Sequence, residues 1–283
     1  TDIHFWEVVL NPLRLLNKRL LGNINVWWRR RHELHTERAE SFAEALVETG
    51  VRTLFASGDL TSTATDWEFQ QAAAFLRKLS ERGLRILVVP GNHDVYTFEA
   101  QRKRRFERYL GDFLPAEGYP YRLTLPGGTP VVLVPTVCTN LVSSRGCITD
   151  TEVQAAERLI AETPPGPVII GGHYPVLHRT PAFASGPLRR LRNAAALHRI
   201  LGESGRRILY ISGHVHCFSY VQDNRYENVQ HLMTSAFFLQ RRRRGPSGSF
   251  AEIQVRPEGF DVYRHEYDAR WRRTRETASQ EVE

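Results

Sequence analysis

Hydrophobic positions along this chain follow two alternating rhythms. Five short runs are apolar almost without a break, and each ends in glycine or a polar cluster: RTLFASGDL ending at Leu60, LRILVVPGNHD at Asp94, TPVVLVPTVCTN at Asn140, GPVIIGGHYP at Pro175 and RRILYISGHVH at His216. Such runs predict strands buried on both faces, since every side chain, whichever way it points, meets an apolar layer. Between them, HTERAESFAEALVETG and DWEFQQAAAFLRKLSERG repeat apolar residues at helical spacing and stop at Gly50 and Gly83, as helices that close on a left-handed glycine do. Shorter helices are expected over about residues 98–110, 150–162 and 188–204. Later the rhythm changes: NVQHLMTSAFFLQ, GSFAEIQV and GFDVYRHEY predict successive strands joined by RRRRGPSG and RPEG.

This alternation predicts an α/β protein with helices covering sheet faces. No internal repeat or low-complexity linker divides it, so a single domain is expected over residues 1–268, followed by a polar tail or fraying helix over 269–283. With 283 residues, 41% of them hydrophobic, the chain can bury the core of one large domain. The net charge of +7 favours anionic partners such as phosphates, nucleic acid or acidic lipid. Cys138, Cys147 and Cys217 are odd in number and lack C-x-x-C spacing, so neither a disulfide framework nor a thiolate zinc site is expected, and a reducing, cytoplasmic setting fits best. No apolar run approaches the roughly 18 residues that a spanning helix needs.

Chemistry gathers at the strand ends. Asp2 and His4 open the chain two residues apart, a spacing that in an extended segment points both side chains the same way. Asp59 ends the first apolar run, Asn92 and His93 the second, His173 the fourth, and His214 and His216 the fifth. One such element alone is an ordinary turn or a solvated histidine. Five in order, each following a predicted strand or, for Asp2 and His4, opening the chain, predict one site at the carboxyl edge of a sheet. Oxygen and imidazole donors without thiolates suit Mn²⁺, Fe or Zn²⁺. His32, His35, His178, His198, His231 and His265 lack this placement, and most are expected to be hydrogen-bonded or surface residues.

The ordered set D-x-H, G-D, G-N-H-D, G-H and G-H-x-H, spanning residues 2–216, resembles the calcineurin-like metallophosphoesterases. The resemblance implies two mixed β-sheets packed face to face with helices outside, and a strand leading into D-x-H that would precede Thr1. It implies a two-metal centre with Asp2, His4, Asp59 and His216 on one ion and Asp59, Asn92, His173 and His214 on the other, Asp59 bridging. Metal-bound hydroxide would then attack phosphorus in line with the leaving oxygen. His93 would stabilise the transition state and protonate the leaving group, oriented by Asp66 or Asp94.

Substrate choice must come from the surroundings. Asn11–Arg31, NPLRLLNKRLLGNINVWWRRR, carries six cations and no acid, with Leu13, Leu16, Leu20, Ile24 and Trp27 at helical spacing. A basic Leu/Trp segment of this kind suits an anionic membrane surface, and equally an amphipathic helix packed on the sheet. Arg179, Arg189, Arg192 and Asn193 are candidate contacts to substrate phosphates or head group. The layout is similar to the lipid-directed UDP-2,3-diacylglucosamine pyrophosphatases, which implies a peripheral membrane enzyme of lipid A biosynthesis; of the three metals that suit the donors, Mn²⁺ is the one expected. GDLTSTATDWEFQQAAAFL and GHVH also look like the soluble cyclic-nucleotide phosphodiesterases. A nuclease ranks lower, because no DNA-binding module is apparent, and a non-catalytic scaffold lower still, because the whole ligand set is present.

Overall fold

The computed structural model describes residues 1–7, 38–140, 143–238, 247–268 and 270–280. The first half runs α1 (Ala39–Glu48), β1 (Thr53–Ala56), α2 (Asp66–Glu81), β2 (Arg85–Val88), α3 (Phe98–Arg102), α4 (Arg105–Leu110), β3 (Tyr121–Thr124) and β4 (Pro130–Leu133). Next come β5 (Gly146–Cys147), α5 (Asp150–Ala161), β6 (Pro167–Gly171), β7 (Arg179–Thr180), β8 (Phe183–Ala184), β9 (Leu191–Arg192) and α6 (Ala194–Glu203). The chain closes with β10 (Arg207–Ser212), β11 (Ser219–Gln222), β12 (Val229–Met233), β13 (Ser247–Arg256), β14 (Gly259–Asp268), β15 (Arg270–Glu276) and β16 (Ser279–Gln280).

A mixed seven-stranded sheet, ordered β16-β11-β12-β10-β6-β4-β3, is the backbone of the fold. Its central strands β4, β6, β10 and β12 run parallel. β4, β6 and β10 read as nearly unbroken apolar runs because both faces are covered. Ile208 and Tyr210 pack with Val153, Ile160, Leu197 and Leu201 of the helices α5 and α6. Leu209 and Ile211, pointing the other way, pack with Leu87, Val89 and Val262 of a second strand layer. That layer consists of the parallel pair β1-β2 and the antiparallel β13-β14-β15. Its outer face, with Ile86 and Phe250, is covered by Phe42 and Leu46 of α1 and Phe69, Leu76 and Leu79 of α2. The result is the expected α/β sandwich of two strand layers between helices. An apolar cavity of about 410 Å³, with Leu54, Phe55, Ala251 and Ile253 among its lining, lies between β1 and β13 and has Thr1 on its wall.

Helix starts follow their sequence signals. Thr65 and Thr149 each cap a helix reciprocally with the glutamate three residues on, Glu68 and Glu152. The third weaker helix is shorter than its pattern, since residues 191–192 pair with Gly146–Cys147 before α6 begins at Ala194.

Two expectations are corrected. Residues 270–276 are a strand paired with β14, and Ser279–Gln280 pairs with β11, where a polar tail was expected. β15 is an exposed edge in which Trp271 packs against Phe42 and Phe250 while the remaining side chains are polar, with Arg273 pairing with Glu252 and lying over the Tyr263 ring. Cys138 and Cys147 form a disulfide, their Cα atoms 5.7 Å apart, because the Cys147 amide donates to the Thr136 carbonyl and lays β5 beside the extension of β4. The Asn11–Arg31 segment and the Arg241–Arg244 run lie outside the described residues.

Candidate metal centre

The first corner of the site is built by backbone pairing. Asp2, His4 and Phe5 donate their amides to the carbonyls of Gly58, Asp59 and Leu60, so the opening segment runs alongside the end of β1. His173 follows β6, and His214 and His216 follow β10, at the same edge of the parallel strands. Asp2, His4, Asp59, His173 and Asn92 are buried, and His214 and His216 partly so.

Five of these residues adopt left-handed backbone: Asp2, His4, Asp59, His214 and His216 have φ of 52°, 53°, 55°, 69° and 55°. Each such conformation costs a non-glycine residue about 1–3 kcal/mol and survives only where its surroundings impose it. Packing at the junction is equally tight. A Cβ on Gly91 would collide with the Asp59 amide and carboxylate, and one on Gly58 would lie 2.5 Å from the Gly91 nitrogen.

The side chains converge as two groups that share Asp59: Asp2, His4, Asp59 and His216, and Asp59, His173 and His214. In the first, His4 Nε2 stands 3.1 Å from His216 Nε2, and His216 Nε2 stands 3.1 Å from Asp2 Oδ1. His4 Nδ1, 3.1 Å from the Thr61 carbonyl, can only donate there, which leaves a neutral His4 with its Nε2 lone pair facing the other acceptors. In the second, His173 Nδ1 donates to the Ser57 carbonyl at 2.7 Å, and its Nε2 faces Asn92 Oδ1 at 3.2 Å and Asp59 Oδ1 at 3.5 Å. Asn92 Oδ1 also meets His214 Nδ1 at 2.9 Å. Asp2 Oδ1 and His214 Nε2 are buried without a well-aligned hydrogen bond. Acceptors gathered around a shared carboxylate, some unsatisfied, fit divalent cations of the O/N-preferring kind.

The electrostatics match. Burial opposes ionisation of Asp59, yet the charges of His173 and His93 outweigh it and hold the carboxyl well below its usual range. Burial pushes the His173 imidazole down, but Asp59 pulls it up further, to about 9. His214 is lowered to about 3 by burial and by the His173 charge. A proton on His173 does part of what a cation would do.

His93 lies beside this group, its ring 4.9 Å from that of His4 and its amide donating to Asp59 Oδ1 at 2.7 Å. Its Nδ1 contacts the Ser62 carbonyl at 2.6 Å, so a backbone oxygen orients it in place of the expected Asp66 or Asp94. Asp66 pairs with Arg105 and Tyr109. Asp94 accepts from the Thr61 amide and hydroxyl and from the Gly91 amide, bracing the loops that carry His93 and Asp59. Burial and the nearby Asp59 charge raise its carboxyl to about 6.

The four expected substrate contacts are placed less uniformly. The Asn193 amide is engaged by the Ile148 carbonyl and Asp150, tying α6 to the start of α5, which accounts for this residue structurally. The Arg192 guanidinium lies 3.4 Å from the Cys138 sulfur. Arg179 is exposed on the β7-β8 hairpin. The Arg189 charge reaches Tyr174, whose hydroxyl burial holds far above its usual range and whose ring centre is 4.1 Å from that of His214. Sequence reasoning passed over Glu68, a fully buried carboxylate beneath the same loop; its only signal was the T-x-x-E spacing of Thr65 and Glu68.

A third trio, His198, Asp223 and His231, is hydrogen-bonded. Both imidazole Nε2 atoms meet Asp223 Oδ2, at 2.5 and 2.7 Å, while Oδ1 accepts from the Arg225 and Tyr226 amides. These are hydrogen-bond separations, closer than two ligands of one ion stand, and they anchor the turn between β11 and β12.

Together the fold and this centre define a metal-dependent phosphoester hydrolase. Residues 1–218 match the family described as calcineurin-like phosphoesterase, and the chain belongs to that family. Among solved structures it is similar to a dimetal phosphatase from Danio rerio, at 16% identity over 83% of this chain and 87% of that one, with a TM-score of 0.59. It is also similar to a 5'-nucleotidase from Candida albicans, at 14% identity over 82% of this chain and 46% of that one, with a TM-score of 0.51. No curated protein matches the chain by sequence.

Proposed function

We propose that the protein hydrolyses a phosphodiester or diphosphate bond with two divalent ions, one held by Asp2, His4, Asp59 and His216 and the other by Asp59, Asn92, His173 and His214. The observation that carries this reading is the pair of acceptor clusters joined through one buried carboxylate, Asp59. Bound there, Mn²⁺, Fe or Zn²⁺ would neutralise phosphoryl charge and make water a stronger acid, with a pKa near 7. The remaining work falls to the chain. Ser57 and Thr61 carbonyls fix the ligand imidazoles through Nδ1, and Ser62 does the same for His93. His93 Nε2 then holds the proton that passes to the leaving oxygen, and its charge opposes that developing on the phosphoryl group.

For the substrate, we favour a lipid-linked diphosphate of the UDP-2,3-diacylglucosamine type met at an anionic membrane surface. The support is the basic Leu/Trp segment of residues 11–31 and the net charge of +7. The test is phosphoester hydrolysis by the Mn²⁺-loaded protein. UMP release from UDP-2,3-diacylglucosamine, lost on deleting residues 11–31, would support the lipid reading. Turnover of bis(4-nitrophenyl) phosphate and cyclic nucleotides alone would redirect it to soluble diesters. For either substrate, His93→Ala should retain metal and lose about 10²–10⁴-fold in kcat. Full turnover by that variant would remove His93 from the mechanism.

A further inference from the structure

The loop from Thr61 to Thr65 supplies two of the carbonyls that orient the site: Thr61 O faces His4 Nδ1 and Ser62 O faces His93 Nδ1. Asp94 holds the Thr61 end of this loop, and Glu68, in the first turn of α2, holds the Thr63–Thr65 end. Its Oε2 accepts from the amides of Thr63 and Thr65, at 2.9 and 3.1 Å, and Oε1 from the Glu7 amide at 3.4 Å. The Thr63 hydroxyl lies 3.3 Å from both oxygens. The side chain is fully buried, and none of these donors is a cation. An ordinary capping glutamate reaches back to a single amide on the helix surface. This one gathers donors from three residues on two segments, and both segments carry site residues. Glu7 follows His4 by three positions, and Thr63 follows Ser62 directly.

We propose that Glu68 is a positioning residue: by fastening Thr63, Thr65 and Glu7 to the start of α2, it sets the Thr61 and Ser62 carbonyls and so the tautomer and direction of His4 and His93. This deepens the two-metal reading and rests on it for the roles of those histidines. Removing the carboxylate frees the Thr63–Thr65 end of the loop, so the Ser62 carbonyl, and through it the Thr61 carbonyl, loses the direction that keeps each imidazole proton on Nδ1. Glutamine keeps the loop contacts, with its carbonyl oxygen toward the Thr63 and Thr65 amides and its amide group toward the Thr63 hydroxyl, and gives up the 3.4 Å contact with the Glu7 amide. Burial raises the Glu68 carboxyl to about 7, in keeping with a site that tolerates the neutral form.

The test reads the imidazoles directly. In the full chain without added metal, at a pH where both imidazoles are neutral, ¹⁵N spectra of the histidine side chains should show His4 and His93 with the proton on Nδ1. Glu68→Ala should shift both toward the Nε2–H tautomer, and Glu68→Gln should restore the wild-type pattern. With Mn²⁺ present, hydrolysis of bis(4-nitrophenyl) phosphate should fall about 10- to 100-fold in Glu68→Ala at unchanged metal content. In Glu68→Gln it should stay within about threefold of wild type. Wild-type tautomers in Glu68→Ala overturn the proposal, as does a Glu68→Gln variant as impaired as the alanine. If Glu68→Ala does not fold, amide exchange in the wild-type chain decides: Thr63 and Thr65 protected like the interior of α2 support it, and exchange at open-loop rates overturns it. A wild-type protein that hydrolyses no phosphoester would defeat the functional reading while leaving the tautomer result to stand or fall on its own.

Discussion

At the scale of single residues, the site is held by contacts that leave little room for change. Gly91 passes so close to Asp59 that an added methyl group would overlap its amide and carboxylate. Gly91→Ala should therefore displace Asp59 and cut phosphodiester hydrolysis by ~10²-fold or more, with a folded circular-dichroism spectrum. Glu68 makes a different prediction. Its carboxyl is raised from 4.5 to about 7 by burial, so the folded state holds that proton more tightly than the unfolded state does. Between those pH values, stability from this group falls as pH rises, by roughly 3 kcal/mol in total. Thermal unfolding from pH 4 to 8 should show a correspondingly shallower dependence in Glu68→Gln, and an unchanged slope would contradict the assignment. The residues that converge at the site were legible in the sequence because most combine a metal-binding type of side chain with a strand-end position. The left-handed backbone of Asp2, His4, Asp59, His214 and His216 was not, since no residue type announces it, and neither was the backbone carbonyl that orients His93.

At the scale of elements, strands buried on both faces were the plainest in the sequence. Ile208 to Ile211 of β10 serve two cores in alternation, and only an unbroken apolar run can do so. Edge elements were harder. β15 shows polar side chains to solvent on an outer edge and offers no apolar period to read. β5 and β9 are two residues each, set by pairing with each other. The β11-β12 turn is fixed by Asp223, whose carboxyl burial would raise but the hydrogen bonds from His198 and His231 hold far below its ordinary value. Asp223→Ala leaves two imidazoles and two turn amides without their acceptor, and should lower unfolding stability by about 2–4 kcal/mol while leaving the hydrolytic rate within twofold. Loss of rate together with unchanged stability would show that this trio belongs to the active site after all.

At the scale of the whole molecule, helices and strand layers bring residues 2 and 216, more than two hundred positions apart, to one point beside Asp59. That convergence is the central claim, and counting bound ions tests it most directly. Metal analysis of the protein after exposure to Mn²⁺ or Zn²⁺ and removal of excess should give two ions per chain. Asp59→Asn keeps the shape and removes the shared charge, and it should bind fewer than one. Two ions retained in Asp59→Asn, or none bound by the wild-type chain, would contradict the account.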